Sequence, residues 1–140
     1  MANIIINDGL EKVTINGDEN RAFYFNPTDF SLPQRLMDAL GEIKKECDQA
    51  CKGEETATDK SLFMLQAFEK MNISIRNKID EVFNAPVSDV IFGKVSALSI
   101  IGDKMYFELV FEALIPIVEN RIAEAKEAMN RHTAKYVNKE

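Results

Sequence analysis

Few side chains in this sequence could do chemistry. Thiol and imidazole groups are confined to Cys47, Cys51 and His132, the only cysteines and the only histidine in 140 residues. Cys47 and Cys51 stand four apart in a helical pattern. A metal held by both would need two more ligands from Asp or Glu, a set that suits zinc poorly. A disulfide between them could not staple distant parts of the chain. A thiolate nucleophile needs a base beside it, and nothing in the sequence brings either cysteine to His132, which lies in a polar run. Cys47 therefore reads as a small core residue, Cys51 as a partly exposed one and His132 as a solvent-exposed one. The carboxylates Glu42, Glu46 and Asp48 alternate with Lys44 and Lys45, and Glu124 and Glu127 flank Lys126. Such mixtures make a solvated helix face more often than a catalytic pair. There is no nucleophile elbow, phosphate loop or dinucleotide fingerprint. Asn72-Ile73-Ser74 matches a glycosylation sequon but sits in a helical pattern of a chain with no secretory signal, and reads as chance. The expectation is a protein without catalytic residues, metal or cofactor.

Composition narrows the remaining classes. A chain of 140 residues fits a single domain, residues 1–140, with one core and no need of a staple. Its net charge of −6 comes from 23 acidic and 17 scattered basic residues. Nucleic-acid binding rests on basic residues that neutralise phosphates, so DNA, RNA and anionic membranes are all poor partners for it. No stretch approaches the roughly 18 apolar residues of a membrane span, and MANIIINDG lacks the basic start of a signal peptide. The cytoplasm is the expected compartment.

The elements follow from periodicity. Residues 1–27 form a strand region with three β-branched or aromatic runs, Ile4–Ile6, Lys12–Asn16 and Arg21–Phe25, separated by turn residues. They predict a small antiparallel meander. Residues 31–139 form a helical region. Ser31 and Gln34 suggest a capping box, and Leu36, Leu40, Ile43, Cys47 and Ala50 then make one stripe ending near Lys52-Gly53. Residues 53–58 read as a mobile polar loop. A second helix should start at Asp59 as N-cap, carry Leu65, Phe68, Ile75, Ile79, Val82 and Phe83, and end before Pro86. One or two helical turns over 87–93 should be capped by Gly93. Residues 94–101 are compatible with loop, helical turn or strand. The last helix should open with Asp103 as N-cap and run to about residue 137, kinked or split at Pro116. The fold class is thus α+β: a small N-terminal meander packed on a bundle of three main helices, the last long and kinked.

The last helix is the unusual element. Its first half, MYFELVFEALIPIV, is apolar on nearly every side, which predicts burial all round. Phe107, Phe111, Leu114, Val118 and Ile122 keep the spacing of anchors for a partner helix, and equally that of a core stripe. Beyond Pro116 a thin stripe of Ile122, Ala125 and Met129 remains, which suits a partner helix or a second copy. Phe107, Phe111, Leu114, Val118, Ile122 and Met129 are therefore the candidate partner-binding residues.

Several runs together resemble a known family. They are the Ile15-Asn16-Gly17 turn, an aromatic strand, Thr28-Asp29 before the first helix, IRNKIDEVFNAPVSDVIFGK, and YFELVFEALIPIVENRIAEAKEAMNRHTAKY. The sequence is similar over most of 12–137 to small tail assembly chaperone-like proteins of tailed phages and prophages of Gram-positive bacteria. Those proteins carry a "DxVFG…KxFG" element followed by an "ExFExLxxxV" helix. Here Ile79-Asp80-Glu81-Val82-Phe83 and Ile91-Phe92-Gly93 match the first, and Glu108, Phe111 and Leu114 fall in the second. The chain departs from the pattern at Asn84-Ala85, where the family has Gly, at Pro116, and in the segment before Val13. The resemblance implies a non-enzymatic protein of the bacterial host cytoplasm. It would keep the long apolar tape measure protein soluble, help recruit the tail tube protein, and be absent from the finished virion. Two other readings are a small phage inhibitor of a host defence protein and a structural tail subunit. The first lacks an uninterrupted acidic strip, and the second calls for more strand.

Overall fold

The computed structural model describes residues 1–54 and 60–137. The Asp59 cap and residues 55–58 of the expected mobile loop lie outside them. The fold is α+β. Strands β1 (Glu11–Ile15) and β2 (Asp18–Phe25) form an antiparallel hairpin. Helices α1 (Leu32–Glu54), α2 (Lys60–Phe83) and the short α3 (Ser88–Phe92) follow. A second two-stranded hairpin, β3 (Ile100–Ile101) and β4 (Lys104–Met105), leads directly into α4 (Tyr106–Val137).

The first hairpin closes on Asn16-Gly17, whose φ angles of 55° and 74° are those of the two-residue turn that matches strand twist. The expected third strand does not form: Ile4, Ile5 and Ile6 are unpaired and exposed, so the meander is a two-stranded sheet. Side chains alternate along β2, and Phe23 and Phe25 turn inward. They meet Leu32, Leu36, Ala39 and Ile43 of α1, Met71, Ile75, Ile79 and Val82 of α2, Ile91 and Phe92 of α3, and Phe107, Phe111, Leu114, Val118 and Ile122 of α4 in one continuous core. Each helical set repeats at three or four residues, so one stripe of each helix is buried.

Two helix starts and the course of α4 differ from expectation. The capping box at α1 does not form: Ser31 Oγ donates to Asp29 and the Gln34 amide donates to Asp38. Asp103 does not cap α4, because Gly102-Asp103 is the turn of the β3–β4 hairpin. That hairpin caps the helix instead: the N–H groups of Tyr106 and Phe107 donate to the carbonyls of Ser99 and Ala97 at 2.8 and 2.9 Å, satisfying two donors that a helix start leaves orphaned. Pro116 does not split α4, which is continuous from Tyr106 to Val137 and about 48 Å long. The front half of α4 is not buried all round either: Glu112, Ala113, Pro116 and Ile117 are exposed. From Lys126 to Tyr136 every side chain is exposed, and this end of α4 projects beyond the core.

Arginines tie the connections together. Arg35 of α1 donates to the Val82 carbonyl at the end of α2 at 2.8 Å and to the Asp29 carboxylate at 2.6 Å. Arg21 of β2 donates to the carbonyls of Val90 and Ile91 at 3.0 and 2.7 Å. Arg76 of α2 donates to the carbonyls of Gly93 and Val95 at 3.0 and 2.9 Å. All three supply donors to carbonyls at or just beyond helix C-termini, where α-helices lack partners. The Asp29 carboxyl is held below its ordinary range chiefly by the hydrogen bond from Arg35, against the opposing effect of burial. A carboxylate with a depressed folded-state pKa contributes stability above its unfolded pKa and loses it as pH falls. Asp29→Asn should therefore flatten the loss of stability below the ordinary aspartate value of 3.8. Urea midpoints from pH 5 down to pH 3 test this: a variant whose midpoint falls as steeply as wild type removes Asp29 from the acid response.

Side-chain bonds and backbone conformation shape the turn between α2 and α3. Asp80 accepts from the Ser88 N–H at 2.7 Å and from its hydroxyl at 3.0 Å, folding the Pro86 turn back onto α2. Asn84 stands where the pattern has Gly, and its φ is 52°, a left-handed conformation that Asn tolerates better than most residues. Gly93 has φ 59° and ψ −129°, which side-chain-bearing residues avoid.

Candidate functional site

Five of the six candidate partner-binding residues are core. Phe107, Phe111, Leu114, Val118 and Ile122 are buried, and of the six only Met129, at 48% exposure, is open to solvent. The stripe expected to divide at Pro116 instead runs unbroken through it to Ile122. The open apolar surface lies elsewhere, in two places.

The first is a groove between β1 and the neighbouring face of α4. Val13, Ile15 and Phe23 form one wall, and Leu109, Val110, Ala113 and Ile117 the other, enclosing about 340 Å³. Leu114 is the one candidate residue that also lines it. The excess of apolar residues in MYFELVFEALIPIV is explained here: the side of α4 next to its core stripe lines this groove. At its end the Glu11 carboxylate pairs with Arg121 at 3.6 Å.

The second is the end of the bundle where α1 finishes and α2 begins. Cys47, Ala50, Met64, Phe68, Leu98 and Met105 surround a small cleft of about 70 Å³. Leu65, at 69% exposure, lies one helical turn before Phe68, and Ile100, at 64%, pairs with Met105 across the β3–β4 hairpin. Leu65 and Phe68 keep the helical spacing of the apolar positions of α2, yet both are exposed. The stripe begins only at Met71, because the earlier turns of α2 lie at the end of the molecule. Methionine is unbranched and polarizable, so a surface that carries it can fit differing apolar shapes.

The residues weighed for chemistry are dispersed. Cys47 packs half-buried against the core, and the Cys51 side chain lies outside what is described. His132 stands exposed near the end of α4 with its ring edge-on to Tyr136, centroids 4.8 Å apart. Glu42 and Glu46 do not simply face solvent: both pair with Lys78 of α2, at 3.2 and 3.1 Å, and Glu46 accepts from Ser74 at 2.8 Å. Those hydrogen bonds, led by that to Glu46, raise the Lys78 pKa above its ordinary value. Asn72 of the sequon accepts from the Ala97 N–H at 2.9 Å and from Arg76, so it is a structural hub. Among the described residues no three His, Cys, Asp or Glu side chains gather as a metal site, and no helix is long and apolar enough to cross a membrane. Comparison of the chain with protein-family profiles, curated proteins and solved structures finds no match in any of the three.

Proposed function

We propose that this chain is a tail assembly chaperone, binding apolar segments of a tape measure protein in the bacterial host cytoplasm without catalysis. It helps recruit tail tube subunits and leaves before the virion is complete. The observation that carries this reading is the methionine-bearing apolar end of the bundle, with Leu65 and Ile100 exposed beside the cleft of Met64, Phe68 and Met105. An apolar client helix presents residues of the kind that such a surface accepts. The net charge of −6 keeps a complex of chaperone and apolar client in solution. The resemblance over residues 12–137 supports the same reading.

The test is co-expression with the tape measure protein encoded by the same genome. The client should move from the pellet to the soluble fraction and co-purify with this chain. A client that pellets equally with and without it overturns the proposal. Leu65→Asp with Ile100→Asp should leave folding stability within about 0.5 kcal/mol of wild type for each exposed site while abolishing that rescue. Full rescue by a folded double variant moves the client site away from this end.

A further inference from the structure

We propose that the isoleucine segment before β1 of one chain docks as an added strand in the β1–α4 groove of a second copy, and receives that copy's segment in return. Ile4, Ile5 and Ile6 are 78, 94 and 71% exposed and pair with nothing in their own sheet. Three consecutive β-branched residues have strand propensity. The acceptor is open as well. The sheet has two strands, so β1 has a free edge, and that edge borders the apolar groove floored by Leu109, Val110, Ala113 and Ile117. A strand added there alternates its side chains, so Ile4 and Ile6 would turn together onto α4 while Ile5 faces out.

Register decides between a chain's own segment and that of a second copy. The groove runs beside Val13–Asn16 of β1. A hairpin folded back through Asp8-Gly9 pairs Ile6 with Glu11 and Ile4 with Val13. Only one inward isoleucine then reaches the groove, and the other meets the Glu11 carboxylate already paired with Arg121. A segment from another copy has no such tether and can set Ile4 and Ile6 against Val13 and Ile15. Reciprocal exchange is a two-fold arrangement that closes on itself and fills both grooves. The inference stands independently of the chaperone reading.

The experiment mixes two single variants, Ile4→Cys and differently tagged Ala113→Cys, under mild oxidation. A covalent heterodimer carrying both tags is expected, above the background that each variant alone gives through its native cysteines. Absence of that heterodimer overturns exchange. So does an internal link in the doubly substituted chain without dimer, which would place the segment in its own groove. Light scattering gives a second readout: wild type should have twice the chain mass, and Ile4→Asp with Ile6→Asp should halve it with unchanged far-ultraviolet dichroism. A wild type that stays monomeric, or a folded variant that stays dimeric, overturns the proposal.

Discussion

Phe111→Ala should lower the unfolding free energy by about 3–5 kcal/mol, the cost of removing a large aromatic ring from a filled core. Phe111 is 1% exposed and lies between Phe107 and Leu114 on the buried stripe of α4, which packs against α1. The loss combines apolar surface no longer removed from water with a cavity that neighbouring helices cannot fully close. Met129→Ala, about five turns further along and outside the core, should change stability by less than about 0.5 kcal/mol. Urea unfolding with unchanged slope measures both. A Phe111→Ala variant that loses less than about 1 kcal/mol would mean that the helix can move away from the core at that point, and that the stripe is closer to a groove than to a seal.

Arg76→Ala should cost roughly 2–4 kcal/mol, because it strands more than one acceptor at once. The guanidinium donates to Asn72 at 3.3 Å, Asp89 at 3.0 Å, and the carbonyls of Gly93 and Val95. It also lies over the Phe92 ring, 5.3 Å from its centroid. Its side chain is only 17% exposed, while that of Asp89 is 92% exposed. The ion pair therefore contributes little, and the carbonyl bonds make up most of the effect. Arg76→Lys should recover only a small part, since an ammonium cannot reproduce the planar fork that reaches two carbonyls and stacks on a ring. Equal stability of the Lys variant and wild type would show that charge alone suffices. Loss of this tie should loosen residues 93–99 first, which hydrogen exchange at Ala97 and Ser99 would reveal against an unchanged α1.

These residues also mark what could be read from sequence and what could not. The stripes of α1, α2 and α4 were legible because burial repeats at the helical period, and the Asn16-Gly17 hairpin because its turn demands positive φ at both residues. Ile4–Ile6 was misread because strand propensity reports that a segment can pair, not that a partner is present. The start of α4 was misread because its caps are carbonyls of Ala97 and Ser99, and a backbone acceptor has no sequence signature. The same holds for Arg21, Arg35 and Arg76, whose acceptors are carbonyls 17 to 70 residues away. The candidate partner-binding residues share a spacing that fits a core stripe and a docking stripe alike. Phe107 and Phe111 fit both, and only the packing of α1 against α4 separates the two.

The projecting end of α4 has a mechanical consequence. Residues 126–136 span about 16 Å. With Val137 they make up the last dozen described residues of α4, a length at which an isolated helix is marginal in water. Beyond Lys126, which reaches back over the Phe30 ring, the described contacts are local: Glu127 with Arg131 at 3.8 Å and His132 with Tyr136. The end is thus a cantilever whose helicity is lent by the anchored part and decays with each turn from the root. Its last turns are expected to fray before the bundle unfolds, since their side chains are exposed. A protein that gripped this end would set how far the rod stays rigid, without disturbing the core that bears it.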